Sequence, residues 1–367
     1  MNSEFPFFIY YIGLVIATIV LSRFIFQKYI SFANRYNLTK SSNSRAAHKG
    51  YVFTGGGVVY AAVLMVAAVI LDNLDFVQFS NFSPIIGTSI LISILGFYDD
   101  FIDISPFNKY IVLTFLILML LYSNATLPVI QNLNGFLGIH QIGFIPGLIF
   151  TSFVYLSIMN AINLTDGIDG YLAIFSIFFF ISLLYNNNIN EFYTLTSVSA
   201  ILIGSSIIFL KYNFSKGKKL FVGDAGSLFI GFWIATYLIT YITSAPNSRL
   251  VDVYSINIEN IPVIAISMIS IPVLDTLRVM TVRMINKKSP FGADRNHLHH
   301  TLLDSGMTHL MTSLFLTCIN WFNCIAIFLM EHNFNSKELT IVYIIISLFW
   351  YFLFEFVNRK NLSSSKG

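Results

Sequence analysis

The chain carries aspartates at positions where the surrounding sequence is almost entirely apolar. Asp99 and Asp100 end one apolar stretch in the segment GFYDDFIDIS, and Asp103 follows them closely. On a helix this spacing groups carboxylates on one face. Carboxylates crowded at a bilayer edge repel one another and lose hydration, and a divalent cation relieves both penalties. The segment therefore predicts a catalytic or metal site that includes Asp99 and Asp100, with a solvated helix end as the plainer alternative.

A second polar segment, NAINLTDGIDG, lies between two long apolar stretches. It places a polar residue at every third position: Asn160, Asn163, Asp166 and Asp169. If the segment is helical, these side chains form one polar stripe, and the two glycines leave the backbone open to a ligand. Such groups suit base and ribose hydroxyls, or phosphates bound through a metal. The alternative is a helix-ending turn with capping aspartates.

The segment FVGDAGS places Asp224 between two glycines at the start of a predicted helix. An aspartate in this position is a candidate magnesium ligand, and the helix end adds donors for phosphate. The order of residues is not that of a Walker P-loop. The lysines that precede the segment need no explanation beyond the charge bias of membrane proteins.

The segment SPFGADRNHLHHTLLDSG concentrates cationic and neutral donors. Arg295, His297, His299 and His300 lie within six residues of one another. Donors at this density suit a diphosphate. A zinc site is the less favoured alternative, because the histidines lack the i, i+4 spacing and their acidic neighbours suit a harder ion. A polar loop without function is the third option.

The elements that position these segments are membrane helices. The chain has 367 residues, of which 56% are hydrophobic and only 11% are charged, too few charges to cover a soluble domain. The pattern predicts an all-α polytopic membrane protein with about eleven transmembrane helices in one domain, residues 1–367. The N-terminus reads as a first membrane helix rather than a cleavable signal. The helices are predicted to start near Phe5, Tyr51, Pro84, Tyr110, Ile145, Tyr171, Tyr193, Ser227, Ile261, Leu310 and Leu339.

Lysine and arginine set the predicted orientation. With the N-terminus outside and eleven crossings, all but two of the 21 basic residues fall on one side; the exceptions are Arg249 and Lys337. That side is therefore predicted to be cytoplasmic, and it receives the C-terminus and every polar segment above. The predicted cytoplasmic segments are approximately 26–50, 99–109, 160–170, 211–226 and 279–309, which places an active site at the cytoplasmic face.

Taken together, the motifs resemble the polyprenyl-phosphate N-acetylhexosamine-1-phosphate transferase family, a membrane family that starts lipid-linked glycan synthesis. The resemblance extends from Arg45 to His309 through SRAAHKGYVFTGGG, YDDFID, NAINLTDGIDG, FVGDAGS and SPFGADRNHLHHTLLDSG, in family order. The last motif looks like the branch that uses UDP-N-acetylglucosamine (UDP-GlcNAc). The peptidoglycan branch, which transfers phospho-MurNAc-pentapeptide, has a different histidine-rich loop.

The resemblance implies transfer of a sugar-1-phosphate, most simply GlcNAc-1-phosphate, from a UDP-sugar to undecaprenyl phosphate with release of UMP. It implies Mg²⁺ or Mn²⁺ as cofactor, with Asp224 as a metal ligand. Asp99 or Asp100 would be a second ligand or the group that receives the proton of the lipid phosphate, so both are predicted to be catalytic and Asp100 is also a predicted metal ligand. Asn163, Asp166 and Asp169 would hold uridine and metal-bound phosphates. Substrate binding would also involve Arg295, His297, His299, His300 and His48. The expected setting is the bacterial inner membrane, with the lipid bilayer and no nucleic acid as partner; a homodimer is one option.

The first motif departs from the family pattern. Arg45 and His48 match, whereas Ala46 stands where the family has lysine, and Tyr51 and Phe53 stand where it has prolines. Two other enzyme or transport classes remain open on the residues alone. An intramembrane prenyltransferase would use DDFID as a DDxxD motif but leaves GDAGS and HLHH unexplained. A secondary transporter would place its carboxylates near mid-span rather than at one face.

Overall fold

The computed structural model describes residues 4–41, 51–123, 129–184, 190–244, 255–287 and 297–364. Within these ranges the chain forms thirteen α-helices and one two-stranded antiparallel sheet. The elements are α1 (Glu4–Arg35), β1 (Thr39–Ser41), β2 (Tyr51–Phe53), α2 (Val58–Asn73), α3 (Ser83–Ile102), α4 (Pro106–Tyr122), α5 (Phe144–Thr165), α6 (Tyr171–Leu184), α7 (Asn190–Asn213), α8 (Gly223–Ser244), α9 (Ile261–Ser267), α10 (Ser270–Ile285), α11 (Leu298–Asp304), α12 (His309–Met330) and α13 (Ser336–Ser364).

The lengths and compositions of the helices identify an all-α polytopic membrane protein. Seven helices in the described residues are long and apolar enough to cross a bilayer: α1, α3, α5, α7, α8, α12 and α13. An eighth crossing is added if the segments Ile258–Ser267 and Ser270–Ile285, bent by 69°, count as one broken span. Three shorter apolar helices are α2, α4 and α6.

Ten of the eleven predicted helix starts fall within a few residues of an observed start, and one is wrong. Tyr51 begins strand β2 rather than a helix, and α2 begins seven residues later, at Val58. The aromatic and β-branched residues Tyr51–Phe53 pair with Thr39–Ser41, with Lys40 opposite Val52. Helix α1 continues to Arg35, so it includes the first part of the predicted cytoplasmic segment 26–50.

The contacts divide the chain into two compact units. The first comprises Met1–Leu127 and Leu172–Ala235, and the second comprises Pro128–Tyr171 and Thr236–Gly367. The prediction of one domain over residues 1–367 stays a prediction, as do the bounds of the cytoplasmic segments.

In the first unit, α1 packs against α7 and α2, α2 against α3, and α3 against α4. Its core holds a cluster of buried aromatic rings from three helices, in which Phe26 meets Tyr60 edge-on and Phe209 at a tilt. A hydrogen bond of 3.1 Å between Ser22 and Ser205 ties α1 to α7. Strand β2 is joined to the segment before α8, since Phe53 donates its N–H to Lys219 O and accepts from Phe221 N.

In the second unit, α10 packs against α5, α12 and α13. At the break between α9 and α10, some backbone N–H and C=O groups lose the hydrogen bonds that a continuous helix would give them. Asn320 of α12 forms hydrogen bonds with two of these groups. Its amide donates to Met268 O at 2.8 Å and accepts from Ile271 N at 3.0 Å. Such pairing is needed where a helix is interrupted inside a membrane, because no water is there to replace it. The kinked α9–α10 segment is therefore held in shape by a buried polar side chain.

Candidate active site

The first unit brings Asp99, Lys109 and Asp224 together. Asp99 ends α3, Lys109 lies in the first turns of α4, and Asp224 lies in the first turn of α8. The Lys109 ammonium contacts Asp99 Oδ2 at 2.9 Å and also contacts Asp224 Oδ2. The Asp224 side chain is 31% exposed, whereas that of Asp99 is 11% exposed. Two carboxylates 125 positions apart in the chain thus converge on one cation.

Asp100 has a different position and binds backbone rather than lysine. Its carboxylate accepts hydrogen bonds from Asp224 N at 3.0 Å and from Ala225 N at 3.4 Å, and the residue is only 4% exposed. These N–H groups belong to the first turn of α8, which has no intrahelical acceptor for them. Negative charge at a helix N-terminus is also favourable. Asp100 therefore caps α8 from α3 and fixes the backbone that carries Asp224.

A close approach of two helices makes this capping possible. Gly96 of α3 lies so near the first turn of α8 that a Cβ atom there would come within 2.5 Å of Asp224 O. Only glycine allows this contact, because any side chain would force the two backbones apart. Gly96 thus determines how closely α3 approaches the backbone of Asp224.

The segment after α3 differs from the helical face predicted for it. Asp103 caps the helix in a left-handed conformation with φ of 52°, and it is exposed. The other carboxylate oxygen of Asp99, Oδ1, accepts a hydrogen bond of 2.6 Å from the backbone N–H of Ile104, just after this cap. Asp103 therefore does not share a helix face with Asp99 and Asp100, because the helix ends one residue before it.

The charges and donor types of this cluster suit a hard divalent cation. Three carboxylates and one ammonium, all with buried or half-buried side chains, carry a formal excess of two negative charges. Mg²⁺ is commonly held by one or two carboxylates together with water and substrate phosphates, so a complete cage of protein ligands is not needed. Among the described residues no group of three or more acidic, histidine or cysteine side chains is arranged to hold a metal without such help.

In the second unit, the segment NAINLTDGIDG is only partly helical. Helix α5 ends at Thr165, so Asn160 and Asn163 lie on the helix while Asp166 caps it and Asp169 lies in the turn before α6. The helical option with one continuous polar stripe is therefore wrong, and the alternative of a turn that ends the helix at a capping aspartate is confirmed. Asp169 is buried, and its backbone is fixed by α12: Asp169 N donates to His309 Nδ1 at 3.2 Å and Ser313 donates to Asp169 O at 2.9 Å.

The histidine motif lies in the second unit at the start of α11. His297 precedes the helix, and His299 and His300 lie in its first turn. The His297 and His299 rings are parallel within 4°, with centroids 5.6 Å apart, and His300 lies 4.3 Å from His299. Asp275 of α10 accepts a hydrogen bond from Leu298 N at 2.9 Å, and its other carboxylate oxygen lies 2.9 Å from His297 Nδ1. One buried carboxylate therefore anchors the motif through a side chain and a backbone group.

The surroundings of His299 favour its neutral form. Burial, followed by the charge of His300, lowers the pKa of His299 to about 3. A neutral imidazole donates one hydrogen bond and carries no charge to offer a phosphate. Its ring lies against Gly167, where a Cβ atom would collide with His299 Nε2. The glycine after Asp166 thus brings the backbone of the turn directly onto the histidine motif.

Several residues that contact the predicted site residues in the structure could not be identified from the local sequence. In the sequence, Lys109 is one of many basic residues, Asp275 and Arg278 lie within an apolar stretch, and His309 is the last residue of a motif. The signal available was the presence of two charged residues, Asp275 and Arg278, in a segment otherwise fit to span a bilayer. Arg295 and His48, which the sequence also proposed, lie outside the described residues, and Asp99, Asp100, Asp224 and the remaining proposed residues lie within them.

Comparison with known proteins gives a consistent picture. The family model described as Glycosyl transferase family 4 matches residues 82–242, a range that includes the aspartate cluster and the NAINLTDGIDG segment. A probable undecaprenyl-phosphate N-acetylglucosaminyl 1-phosphate transferase of Bacillus subtilis is 31% identical over 52% of the chain. That alignment spans only half of the relative's length.

Two further relatives align over most of their length. An undecaprenyl-phosphate alpha-N-acetylglucosaminyl 1-phosphate transferase of Escherichia coli O157:H7 is 27% identical over 83% of this chain and 81% of its own. A decaprenyl-phosphate N-acetylglucosaminephosphotransferase of Mycobacterium leprae is 27% identical over 76% of this chain and 73% of its own.

Proposed function

Since the chain belongs to glycosyl transferase family 4, we propose that it transfers GlcNAc-1-phosphate from UDP-GlcNAc to undecaprenyl phosphate and releases UMP. In this reaction an oxygen of the lipid phosphate attacks the β-phosphorus of the nucleotide sugar. The bond from that phosphorus to the bridging oxygen breaks, and the bridging oxygen leaves with UMP. The sugar and the lipid are those that the relatives' names carry. The observation that carries the proposal is the cluster of Asp99, Lys109 and Asp224 at the N-terminus of α8.

Phosphoryl transfer depends more on neutralising charge and on positioning than on covalent help from a protein. We assign Asp224 and Asp99 as the ligands of Mg²⁺ or Mn²⁺, because their oxygens already converge on a cation. The metal would neutralise charge on the diphosphate. Lys109 would then be displaced from the two carboxylates and could pair with a phosphate oxygen. Asp100 orients the α8 backbone through its two hydrogen bonds, which makes it a positioning residue in this scheme.

The second unit is proposed to bind the nucleotide sugar. Asn163, Asp166 and Asp169 are assigned to uridine and its phosphates, and the histidine motif to the diphosphate and sugar. The neutral state of His299 means that positive charge toward the diphosphate must come from other groups, and Arg295 and His48 remain proposed for this role. A buried, neutral imidazole suits hydrogen bonding to a sugar hydroxyl better than charge neutralisation.

We also propose the finer membrane arrangement: eleven crossings, with the N-terminus outside and the C-terminus and active site cytoplasmic. The seven long spans, the broken α9–α10 span and the three short apolar helices would supply these crossings. The bias of basic residues supports the orientation. The membrane is proposed to be the bacterial inner membrane. Accessibility of single cysteines placed at Asp75 and Lys216 to a membrane-impermeant reagent would test the orientation, since they are assigned to opposite sides.

The function is tested by UMP release from the purified protein with undecaprenyl phosphate, Mg²⁺ and a panel of UDP-N-acetylhexosamines. We expect lipid-dependent release with UDP-GlcNAc, and its loss in Asp224→Asn. The matched control is Asp75→Asn, since Asp75 is exposed and has a left-handed conformation that asparagine readily adopts. Folded wild-type protein that releases no UMP with any donor would contradict the proposal.

The metal is tested separately by binding of Mn²⁺, followed by electron paramagnetic resonance without substrates. We expect Asp224→Asn to weaken Mn²⁺ binding and Asp75→Asn to leave it unchanged. Lys109→Met should strengthen binding, because its ammonium competes with the metal for the same two carboxylates. Equal Mn²⁺ binding in all four proteins would contradict the ligand assignment.

A further inference from the structure

The geometry points to Asp275 as a positioning residue that keeps the proton on Nδ1 of His297, so that Nε2 is the nitrogen His297 offers to a ligand. This inference rests on the proposed function for its consequence in catalysis. The arrangement of the two side chains itself does not depend on that function.

The charge of Asp275 determines the direction of its hydrogen bond with His297. Asp275 is 1% exposed, and His297 Nδ1 lies 2.9 Å from its Oδ2. Its Oδ1 lies 2.9 Å from Leu298 N. An ionised carboxylate has no proton to donate, so both neighbours must be the donors. His297 therefore carries a proton on Nδ1 whether its ring is neutral or cationic.

A neighbouring cation keeps Asp275 ionised in this buried place. Arg278 Nη2 lies 3.4 Å from Asp275 Oδ1, and Arg278 Nη1 lies 3.8 Å from Glu355 Oε2 of α13. Arginine retains its charge at every accessible pH, so the carboxylate has a permanent partner one helical turn away. The array Glu355–Arg278–Asp275–His297 links the last helix to the histidine motif through side chains of the second unit.

The orientation of His297 is shared with its neighbour. Because the His297 and His299 rings are parallel at 5.6 Å, a rotation of His297 would disturb the ring that lies against Gly167. On an imidazole the two nitrogens lie on different edges, so a ring bound through Nδ1 directs Nε2 away from α10. The carboxylate thus sets both the tautomer of His297 and the direction in which Nε2 points.

Other ionisable groups around the motif do not take over this role in the described contacts. The titratable or charged side chains near the motif in the described ranges are His299 and His300 of α11, His309 of α12, Asp169 before α6 and Glu355 of α13. Within the described part of the chain, Asp275 is the side chain that is hydrogen-bonded to His297 Nδ1.

The substitution Asp275→Asn separates a tautomer effect from a loss of packing, because asparagine has nearly the same shape. The backbone N–H of Leu298 needs an acceptor, so the amide oxygen takes that bond. The amide nitrogen then faces His297 Nδ1 as a donor, and the imidazole can accept only if its proton moves to Nε2. The variant is therefore expected to invert the tautomer while leaving the site filled.

Nitrogen-15 NMR of histidine-labelled protein in lipid nanodiscs measures this directly, since protonated and unprotonated ring nitrogens have well-separated shifts. The chain has seven histidines, and His297→Gln identifies the signal of interest. In wild-type protein we expect a protonated Nδ1, and in Asp275→Asn an unprotonated Nδ1. The control Asp304→Asn, at the exposed end of α11, should give the wild-type spectrum. An unprotonated Nδ1 in wild-type protein overturns the inference even if the Asn variant fails to fold.

Kinetics then test the consequence. Asp275→Asn should lower kcat for UMP release by about tenfold or more, with KM for the lipid phosphate unchanged. In a His297→Asn background the same change should cost less than about twofold, since Asp275 acts through His297. If the fold-loss in kcat of the double variant equals the product of the fold-losses of the two single variants, Asp275 does not act through His297 and the positioning role is overturned. If wild-type protein is inactive, the proposed function fails, whereas the NMR result still decides how Asp275 and His297 are joined.

Discussion

Asp100→Asn should destabilise the first unit, because Asp100 holds the N-terminus of α8. The residue is 4% exposed, and its carboxylate accepts hydrogen bonds from two backbone N–H groups of that helix, those of Asp224 and Ala225. Asparagine keeps one accepting oxygen and turns an NH₂ group toward the other N–H, so one donor loses its acceptor. The negative charge at the helix end is lost as well.

The size of the effect follows from these two losses. A hydrogen bond to a charged group contributes about 1.5–3 kcal/mol, and the charge at a helix terminus about 0.5–1 kcal/mol. Together they come to about 2–4 kcal/mol. The control is Asp103→Asn, three residues along: Asp103 is exposed and already has a left-handed backbone that asparagine tolerates. That change should cost less than about 0.5 kcal/mol.

Thermal unfolding in detergent, followed by tryptophan fluorescence, measures the difference. Asp100→Asn should lower the Tm by several degrees relative to both wild type and Asp103→Asn. Chemical denaturation in the same detergent would give the free energy. Equal Tm values for Asp100→Asn and Asp103→Asn would refute the capping role, whatever the activity of the two variants.

Three further outcomes follow from the packing and charges. Gly96→Ala should lower both Tm and activity, because its Cβ would press on Asp224 O, whereas Gly87→Ala on the same helix meets open space and should leave both unchanged in a thermal and UMP-release assay. Gly167→Ala should reduce activity by about tenfold or more, since its Cβ would displace the His299 ring; wild-type kinetics would contradict the contact. Burial lowers the pKa of His299 from 6.5 to about 3, so below pH 6.5 the unfolded chain binds a proton at this residue while the folded chain does not. The free energy of unfolding therefore decreases as the pH falls below 6.5, by up to about 1.4 kcal/mol per pH unit. A Tm series from pH 7 to about 4.5 should therefore fall less steeply in His299→Gln than in wild-type protein, and parallel curves would count against a buried neutral histidine.

The helices were predictable because apolar length alone defines a membrane helix. Starts such as Ile261 and Tyr171 agree with the structure to the residue, since the polar segments that precede them break the apolar pattern. Tyr51 was misplaced because an aromatic, β-branched run is compatible with either a strand or a helix end. Its true partner, Thr39–Ser41, lies ten residues back across a polar segment, which local pattern cannot identify.

The sequence predicted which aspartates belong to the cluster in the first unit but not which groups they contact. Asp99, Asp100 and Asp224 were identifiable because carboxylates are rare in apolar surroundings. The division of labour between Asp99 and Asp100 depends on which side of α3 faces α8, and a spacing of one residue in the sequence does not reveal it. Lys109 joins Asp224 from 115 positions away, so only the fold brings them together.

The same reasoning applies to the histidine motif. A cluster of histidines suggested charge for a diphosphate, whereas burial makes His299 neutral. Burial is a property of the packed structure, and it decides whether an imidazole acts as a cation or as a neutral donor. Asp275 was hidden because a single carboxylate in an apolar run carries little information until its partner is known.

The most direct test of the central claim follows the β-phosphorus of the donor. UDP-GlcNAc labelled with ³²P only in its β-phosphate is incubated with the protein, Mg²⁺ and undecaprenyl phosphate, and lipid and nucleotide fractions are separated. Transfer of sugar-1-phosphate predicts that the label enters the lipid fraction and that the released nucleotide is unlabelled UMP. Label retained in UDP, with sugar alone on the lipid, would contradict the account.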